Sequence, residues 1–121
     1  MTCVKIHGIE YPAVIYGKTK DSEWDDRASK AIKLEMTHSE AMAIFHDGVQ
    51  WSIVTEGATF VPHTDEEGNT YMEKVAQVKE IDNSEYSLAG DVTDHRDGTV
   101  TVKMGKLTPL EEAYEIMLGG I

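Results

Sequence analysis

The sequence predicts an α+β domain, in which a small antiparallel sheet is strongly curled into a barrel or sandwich and accompanied by two short helices. Three observations support this fold class. Several segments alternate apolar and polar residues with a period of two, Gly, Asn and Asp cluster between them, and two segments carry helix-capping signals. The 121 residues contain no internal repeat and no linker, so we expect one domain over residues 1–121.

The first third of the chain predicts three strands and a charged loop. Val4 and Ile6 indicate a short strand, and residues 13–16 form a second β-rich run. Residues 18–29 are polar and without period, which predicts a loop, whereas residues 31–36 alternate cleanly and predict a half-buried strand. Trp24 lies in that loop. Its ring either pins the loop to the core or forms an exposed contact with a partner.

The middle of the chain begins with a helix signal and continues with β-like segments. Thr37 and Glu40 fit a capping box, and Gly48 fits a left-handed stop about two turns later. Residues 49–55 predict a strand that ends at Gly57. Residues 61–70 predict a hairpin tip, and residues 71–81 resume a β pattern. Val75 and Val78 would lie on opposite faces of that strand, which predicts a bulge or a strand that crosses between two layers.

The C-terminal third predicts a hairpin and a capped helix. Alternation over residues 86–104 on both sides of Asp97-Gly98 is typical of two strands joined by a tight turn. Thr108-Pro109-Leu110-Glu111 fits a capping box with proline at the first helical position, and Gly119-Gly120 ends the helix. Its apolar stripe predicts burial against the sheet, so Leu110→Ala would cost about 2–5 kcal/mol. The stripe consists of Leu110, Ala113, Tyr114, Met117 and Leu118.

Charge and cysteine content exclude several classes of partner. The 22 acidic and 11 basic residues give a net charge of −11, which opposes binding to nucleic acid and to anionic lipid. Cys3 is the single cysteine, so the chain can form neither an internal disulfide nor a cysteine-based zinc site, and a free thiol suits a reducing compartment. The sequence shows no signal-peptide pattern and no run of 18 apolar residues. We therefore expect no membrane partner and a cytoplasmic location during synthesis.

No catalytic or metal motif is present in the sequence. Asp91, Asp94 and Asp97 surround Gly98 like a calcium loop, but with Gly98 in the sixth position the twelfth would be Met104 instead of a bidentate Glu. Turn chemistry explains these aspartates better. The expectation is no metal, no cofactor and no enzymatic activity.

The alternative to a non-enzymatic role is a small-molecule or metal-binding domain, or an enzyme. Its site would be assembled from separated residues, with Asp25, Asp26, His95 and Asp97 as the candidates.

Three segments resemble small uncharacterised proteins that prophages of gut Gram-positive bacteria encode, often among tail and virion-morphogenesis genes. They are residues 51–54 (WSIV), 90–99 (GDVTDHRDGT) and 104–120 (MGKLTPLEEAYEIMLGG). The resemblance implies a phage-derived structural or assembly-accessory protein, associated with the virion and bound to itself or to other virion components.

Free sheet edges and exposed loops point to the same kind of function, because assemblies add strands at edges and carry recognition on loops. We expect a homo-oligomer or a protein-docking module. The predicted contact residues are Trp24 and the acidic tip formed by Asp65, Glu66 and Glu67.

Overall fold

The computed structural model describes residues 2–119, and these residues form seven strands and two helices. In chain order the elements are β1 (Thr2–Ile6), β2 (Ile9–Asp21), β3 (Arg27–Glu35), α1 (His38–Ile44), β4 (Ser52–Thr64), β5 (Thr70–Asp82), β6 (Leu88–Asp94), β7 (Thr99–Gly105) and α2 (Pro109–Gly119). Neither helix is long and apolar enough to cross a bilayer within this described part of the chain.

All seven strands pair antiparallel in one sheet with the order β5-β4-β1-β2-β3-β7-β6. Strand β2 joins the two halves, because residues 9–12 pair with β1 and residues 13–21 pair with β3. The predicted class, an antiparallel sheet with two helices, is confirmed. The sheet is open, however, with β5 and β6 at its edges, and the strand pairings give no support to the closed or strongly curled form that was predicted.

The core lies where β1, β3, β7, α1 and the segment before β4 meet. Each strand contributes alternate residues to it, as a half-buried strand must. The buried cluster consists of Val4, Ile6, Ile32, Leu34, Ala41, Phe45, Val49, Trp51, Val100, Val102 and Met104. The Trp51 indole N–H donates to the Tyr86 carbonyl at 3.0 Å, which satisfies the one polar group of this large ring.

Helix α1 covers the core and begins as predicted. Its N-cap is Thr37, whose hydroxyl accepts the Glu40 N–H at 3.1 Å. The helix lies against β6 and β7. The helix ends at Ile44 with Phe45 as its C-cap, so the predicted stop at Gly48 is wrong; Gly48 has a φ of 80°, a left-handed value that favours glycine, in the turn that follows. Because α1 is only 7 residues long, this packing supplies stability that the helix would lack alone.

The predicted loop over residues 18–29 is wrong in extent. Strand β2 continues to Asp21 and β3 begins at Arg27, so the turn spans residues 22–26. The charged residues of this segment indicated a loop, but Asp21 lies in a strand because its side chain has partners on other strands of the sheet. Asp21 is fully buried, yet it contacts Lys103 Nζ at 2.6 Å and accepts the Ser29 hydroxyl at 2.9 Å.

Strands β4 and β5 form one hairpin of 13 residues on each side. Their pairing runs from Ser52↔Asp82 to Thr64↔Thr70 with one residue opposite each residue throughout. The predicted strand end at Gly57 and the predicted bulge between Val75 and Val78 are therefore both wrong. Alternation of apolar and polar residues marks a strand with one buried face, and most of this hairpin is exposed on both faces.

The predicted hairpin at residues 86–104 is confirmed as β6 and β7. Its corner contains Gly98 with a φ of 88° and Arg96 with a φ of 58°. A register irregularity lies between Ala89 and Val92, so β6 is the shorter and less regular of the two edge strands.

Candidate functional site

The four residues proposed for a separated polar site do not come together. Asp25 and Asp26 lie in the turn between β2 and β3, and His95 and Asp97 lie in the turn between β6 and β7. Pairing of Ser29 with Gly105 and of Glu35 with Thr99 places these turns at opposite ends of β3 and β7. A single ligand of small-molecule size cannot contact both turns.

The side chains of Asp25, His95 and Asp97 have local partners instead. His95 Nε2 lies 2.7 Å from the Thr101 hydroxyl, and Asp25 lies 3.7 Å from Arg27 Nη2. The Asp97 carboxylate accepts the Thr99 hydroxyl and the Thr99 N–H, and the hydroxyl bond lowers the pKa of Asp97 most. These are the hydrogen bonds of turns.

Metal ligation finds no geometric support in the described residues. Across residues 2–119, no group of three or more His, Cys, Asp or Glu side chains is placed to hold a metal ion. This includes Asp91, Asp94 and Asp97, which the sequence had placed around Gly98.

A polar cleft opens between the β1–β2 turn, the segment before β4 and the end of β5. Lys5 contacts Glu80 across it at 3.5 Å, and the Ser84 hydroxyl donates to Asp82 at 2.6 Å. That bond lowers the pKa of Asp82, so this carboxyl is ionised at neutral pH and is unsuited to act as a general acid. Among the described residues that line this cleft, no serine hydroxyl is hydrogen-bonded to His7 or His46.

The outer part of the β4–β5 hairpin projects from the sheet. Within residues 2–119, β1 pairs with β4 as far as Thr2↔Thr55, and the backbone pairs of residues 56–64 and 70–78 join these two segments to each other. Nine residues at about 3.4 Å each give a projection of about 30 Å. We call these two segments the arm.

Large apolar side chains are exposed on both faces of the arm. Phe60 and Met72 lie on one face with 60% and 59% of their surface exposed, and Tyr71 lies on the other face with 53% exposed. Val78 and Val61 add to the first and second face respectively. Since a soluble hairpin normally keeps at least one face polar, this pattern is typical of a surface that another molecule covers.

The acidic tip of the arm contains the predicted contact residues Asp65, Glu66 and Glu67. Asp65 has a structural role, because its carboxylate accepts the N–H of Glu67 at 3.0 Å and that of Asn69 at 2.8 Å. All three side chains are exposed. Their role as contact residues stays a prediction.

Trp24, the remaining predicted contact residue, packs the end of its ring against the sheet at Gly90 and Gly105. A Cβ atom at Gly90 would lie 2.8 Å from its ring and one at Gly105 would lie 2.7 Å from it, so both glycines leave room for the indole. The Arg27 guanidinium stands 5.0 Å from the ring centroid. This position fits the interpretation that the ring pins its turn; a contact with a partner stays a prediction for its half-exposed edge.

Helix α2 is anchored at its first turn by residues that sequence reasoning did not pair. Glu111 accepts two hydrogen bonds from the Arg27 guanidinium, at 2.6 and 3.1 Å, and the Thr108 N–H at 2.9 Å. The Glu111 N–H donates to the Thr108 hydroxyl at 3.3 Å, which completes the predicted capping box. The Arg27 bond contributes most to lowering the pKa of Glu111 to about 2.

Arg27 is well placed for this anchoring. It is buried, with 6% of its surface exposed, and it also donates to the carbonyls of Trp24 and Lys106, both at 3.2 Å. Glu111 raises its pKa further above the ordinary value. No sequence signal indicated this pair, because Arg27 and Glu111 are 84 residues apart and local spacing says nothing about such a contact.

Apart from its anchor at Glu111, α2 is mostly exposed. Leu110 is 81% exposed and Met117 is 71% exposed, so the predicted burial of this stripe against the sheet is wrong. Tyr114 and Leu118 are exposed as well. The physical reason is that α1 already covers β6 and β7, and the apolar pattern of α2 cannot specify which molecule covers it. The predicted stop at Gly120 lies outside the described residues.

Comparison of the chain with protein-family models, with curated proteins and with solved structures gave no match.

Proposed function

We propose that this chain is a structural or assembly-accessory protein that acts through protein–protein contacts, with the arm and α2 as its contacting elements. One observation carries the proposal. Of the sixteen large apolar residues that are exposed in the described structure, six lie on the arm and five lie on α2. Apolar residues scattered singly need no explanation, but a concentration on two projecting elements marks an interaction surface.

The arm and α2 are both fixed in position, unlike ordinary flexible extensions. The arm has a continuous ladder of backbone pairs, and α2 is fixed by a bidentate ion pair to the buried Arg27. Holding an apolar surface in place before binding lowers the entropy lost when a partner docks. This supports a role in assembly.

The narrower proposal is an assembly of phage origin. Its support is the resemblance of residues 51–54, 90–99 and 104–120 to small prophage-encoded proteins from the tail and virion region. On this proposal the partners are further copies of the chain or other virion components, and the chain carries no catalytic site of its own.

Sedimentation equilibrium of the full chain tests the proposal. We expect a mass above the 13.5 kDa of one chain, with association that weakens in Phe60→Ser on the arm and in Met117→Ser on α2. Matched controls are Tyr16→Ser and Met42→Ser, which change exposed residues of the body, 65% and 57% exposed. A wild-type chain that stays monomeric up to about 200 µM, far above the usual affinity of specific complexes, would overturn the proposal.

A further inference from the structure

The outer edge of β5 is the longest unpaired edge in the described structure. Thr70–Asp82 ends the sheet, and no strand of residues 2–119 pairs with its outer side. Natural edges are commonly guarded by proline, by a bulge, by being short or by charged side chains, and of these devices β5 has only the charges. Strand β6 at the opposite edge is 7 residues long and irregular, whereas β5 has 13 residues, no proline and no register shift.

The hydrogen bonds at the two ends of the hairpin reveal which backbone groups of β5 are free. The Asp65 N–H donates to the Asn69 carbonyl at 2.9 Å, and the Asn83 N–H donates to the Trp51 carbonyl at 2.8 Å. Antiparallel pairs alternate between hydrogen-bonded and non-hydrogen-bonded, so odd-numbered residues of β5 bond to β4. The seven even-numbered residues from Thr70 to Asp82 therefore point their N–H and C=O groups away from β4.

The charge sequence of β5 is complementary to itself. Two identical strands can pair antiparallel about a two-fold axis perpendicular to the sheet. Residues that lie opposite each other are on the same face of the sheet, so the numbers of two opposite residues are both even or both odd. One residue, midway between them, therefore lies opposite its own copy. With Ala76 at the axis, Glu73 lies opposite Lys79 of the second copy, and Lys79 lies opposite Glu73. No two like charges lie opposite each other in this register.

The same register also aligns the apolar residues and uses the whole strand. Tyr71 lies opposite Ile81 of the second copy, and all 13 residues of β5 are paired. The seven outward-facing residues of each strand would form about fourteen backbone hydrogen bonds. With the axis at Gln77, Lys74 would lie opposite Glu80 of the second copy, but Thr70 and Tyr71 would be left unpaired.

We propose that β5 pairs with β5 of a second copy, antiparallel and with Ala76 opposite its own copy, to form a dimer through a four-stranded arm of order β4-β5-β5-β4. This inference rests on the proposed function and names its first partner as a copy of the same chain. The dimer covers the free edge of β5, and it leaves α2 and both faces of the widened arm for other contacts.

Disulfide trapping tests the register directly. In a chain carrying Cys3→Ser, Ala76→Cys places two thiols opposite each other, at the Cα separation of about 5.5 Å that suits a disulfide. We expect a covalent dimer on mild oxidation of Ala76→Cys and less than a tenth as much from Gln77→Cys, which is next to it on the other face. Dimer from Gln77→Cys in excess of that from Ala76→Cys would overturn the register.

A charge swap tests the pairing without a covalent bond. Glu73→Lys and Lys79→Glu each create two like-charge contacts per dimer, so we expect either change to raise the dimer Kd about tenfold. The double variant Glu73→Lys/Lys79→Glu restores opposite charges and should return the Kd to within about threefold of wild type. Lys74→Glu, which lies opposite Val78 in this register, serves as the control and should change the Kd by less than about threefold.

The outcomes separate this inference from the proposed function. One outcome would overturn the β5 pairing and leave the assembly role standing. In that outcome the chain still associates after the β5 charge changes, forms no Ala76→Cys dimer, and loses association in Met117→Ser or Phe60→Ser. A wild-type chain that sediments as a monomer would overturn both.

Discussion

Replacing Glu111 by Gln should destabilise the protein by about 1–2 kcal/mol. The change keeps the shape of the side chain but removes the charge that faces Arg27 at 2.6 and 3.1 Å. Breaking a fully buried ion pair costs about 3–5 kcal/mol and breaking an exposed pair costs about 0.2–1 kcal/mol. The Arg27 side chain is 5% exposed and that of Glu111 is 39% exposed, so the cost falls between these limits.

The pH dependence of this difference has a definite sign. The folded pKa of Glu111 is about 2, below its ordinary value of 4.5, so its charge stabilises the fold fully above pH 4.5 and less as the pH falls toward 2. Glutamine has no such titration. The stability difference between wild type and Glu111→Gln should therefore be constant near neutral pH and shrink between pH 4.5 and 2.

Urea unfolding followed by circular dichroism measures this difference at each pH, and tryptophan fluorescence adds the combined signal of Trp24, which lies against Arg27, and of Trp51 in the core. Glu112→Gln is the matched control, since Glu112 is exposed in the same helical turn. It should change stability by less than about 0.5 kcal/mol. Equal effects of the two variants, or a Glu111→Gln effect that does not change with pH, would refute the role assigned to the Arg27–Glu111 pair.

Two further predictions concern stability. Leu110→Ala should cost less than about 0.5 kcal/mol in thermal or urea unfolding of the monomer, because 81% of Leu110 is exposed; a loss above 2 kcal/mol would mean that α2 packs on the body in solution. Gly105→Ala should cost about 1–3 kcal/mol, because its Cβ would lie 2.7 Å from the Trp24 ring, whereas Gly57→Ala, with open space around it, should cost less than about 0.5 kcal/mol. Equal costs for the two glycines would contradict the packing of Trp24.

Features set by neighbouring residues could be predicted from the sequence. The Thr37 cap, the Thr108–Glu111 capping box and the corner at Gly98 each depend on a few adjacent positions, and all three are confirmed. The sheet class followed from alternation in β3 and β7, where one face is buried.

Features that depend on distant residues or on exposed surfaces could not be predicted. The arm lacks a buried face, so its alternation is imperfect and Gly57 resembles a strand end. The anchor of α2 depends on Arg27, far away in sequence. The predicted polar site is not formed, because its residues lie in two turns at opposite ends of β3 and β7. That separation follows from the pairing of the strands, which cannot be predicted from the residues of the turns.

The continuous β4–β5 ladder also bears on the order of folding. Five residues separate these strands, so closing their hairpin costs little chain entropy, whereas pairing β3 with β7 brings Glu35 to Thr99 and closes a much longer loop. Hairpins form in microseconds, and distant strand pairs form more slowly. We therefore expect the arm to pair ahead of the body, so that the free edge of β5 is formed while the core is still open.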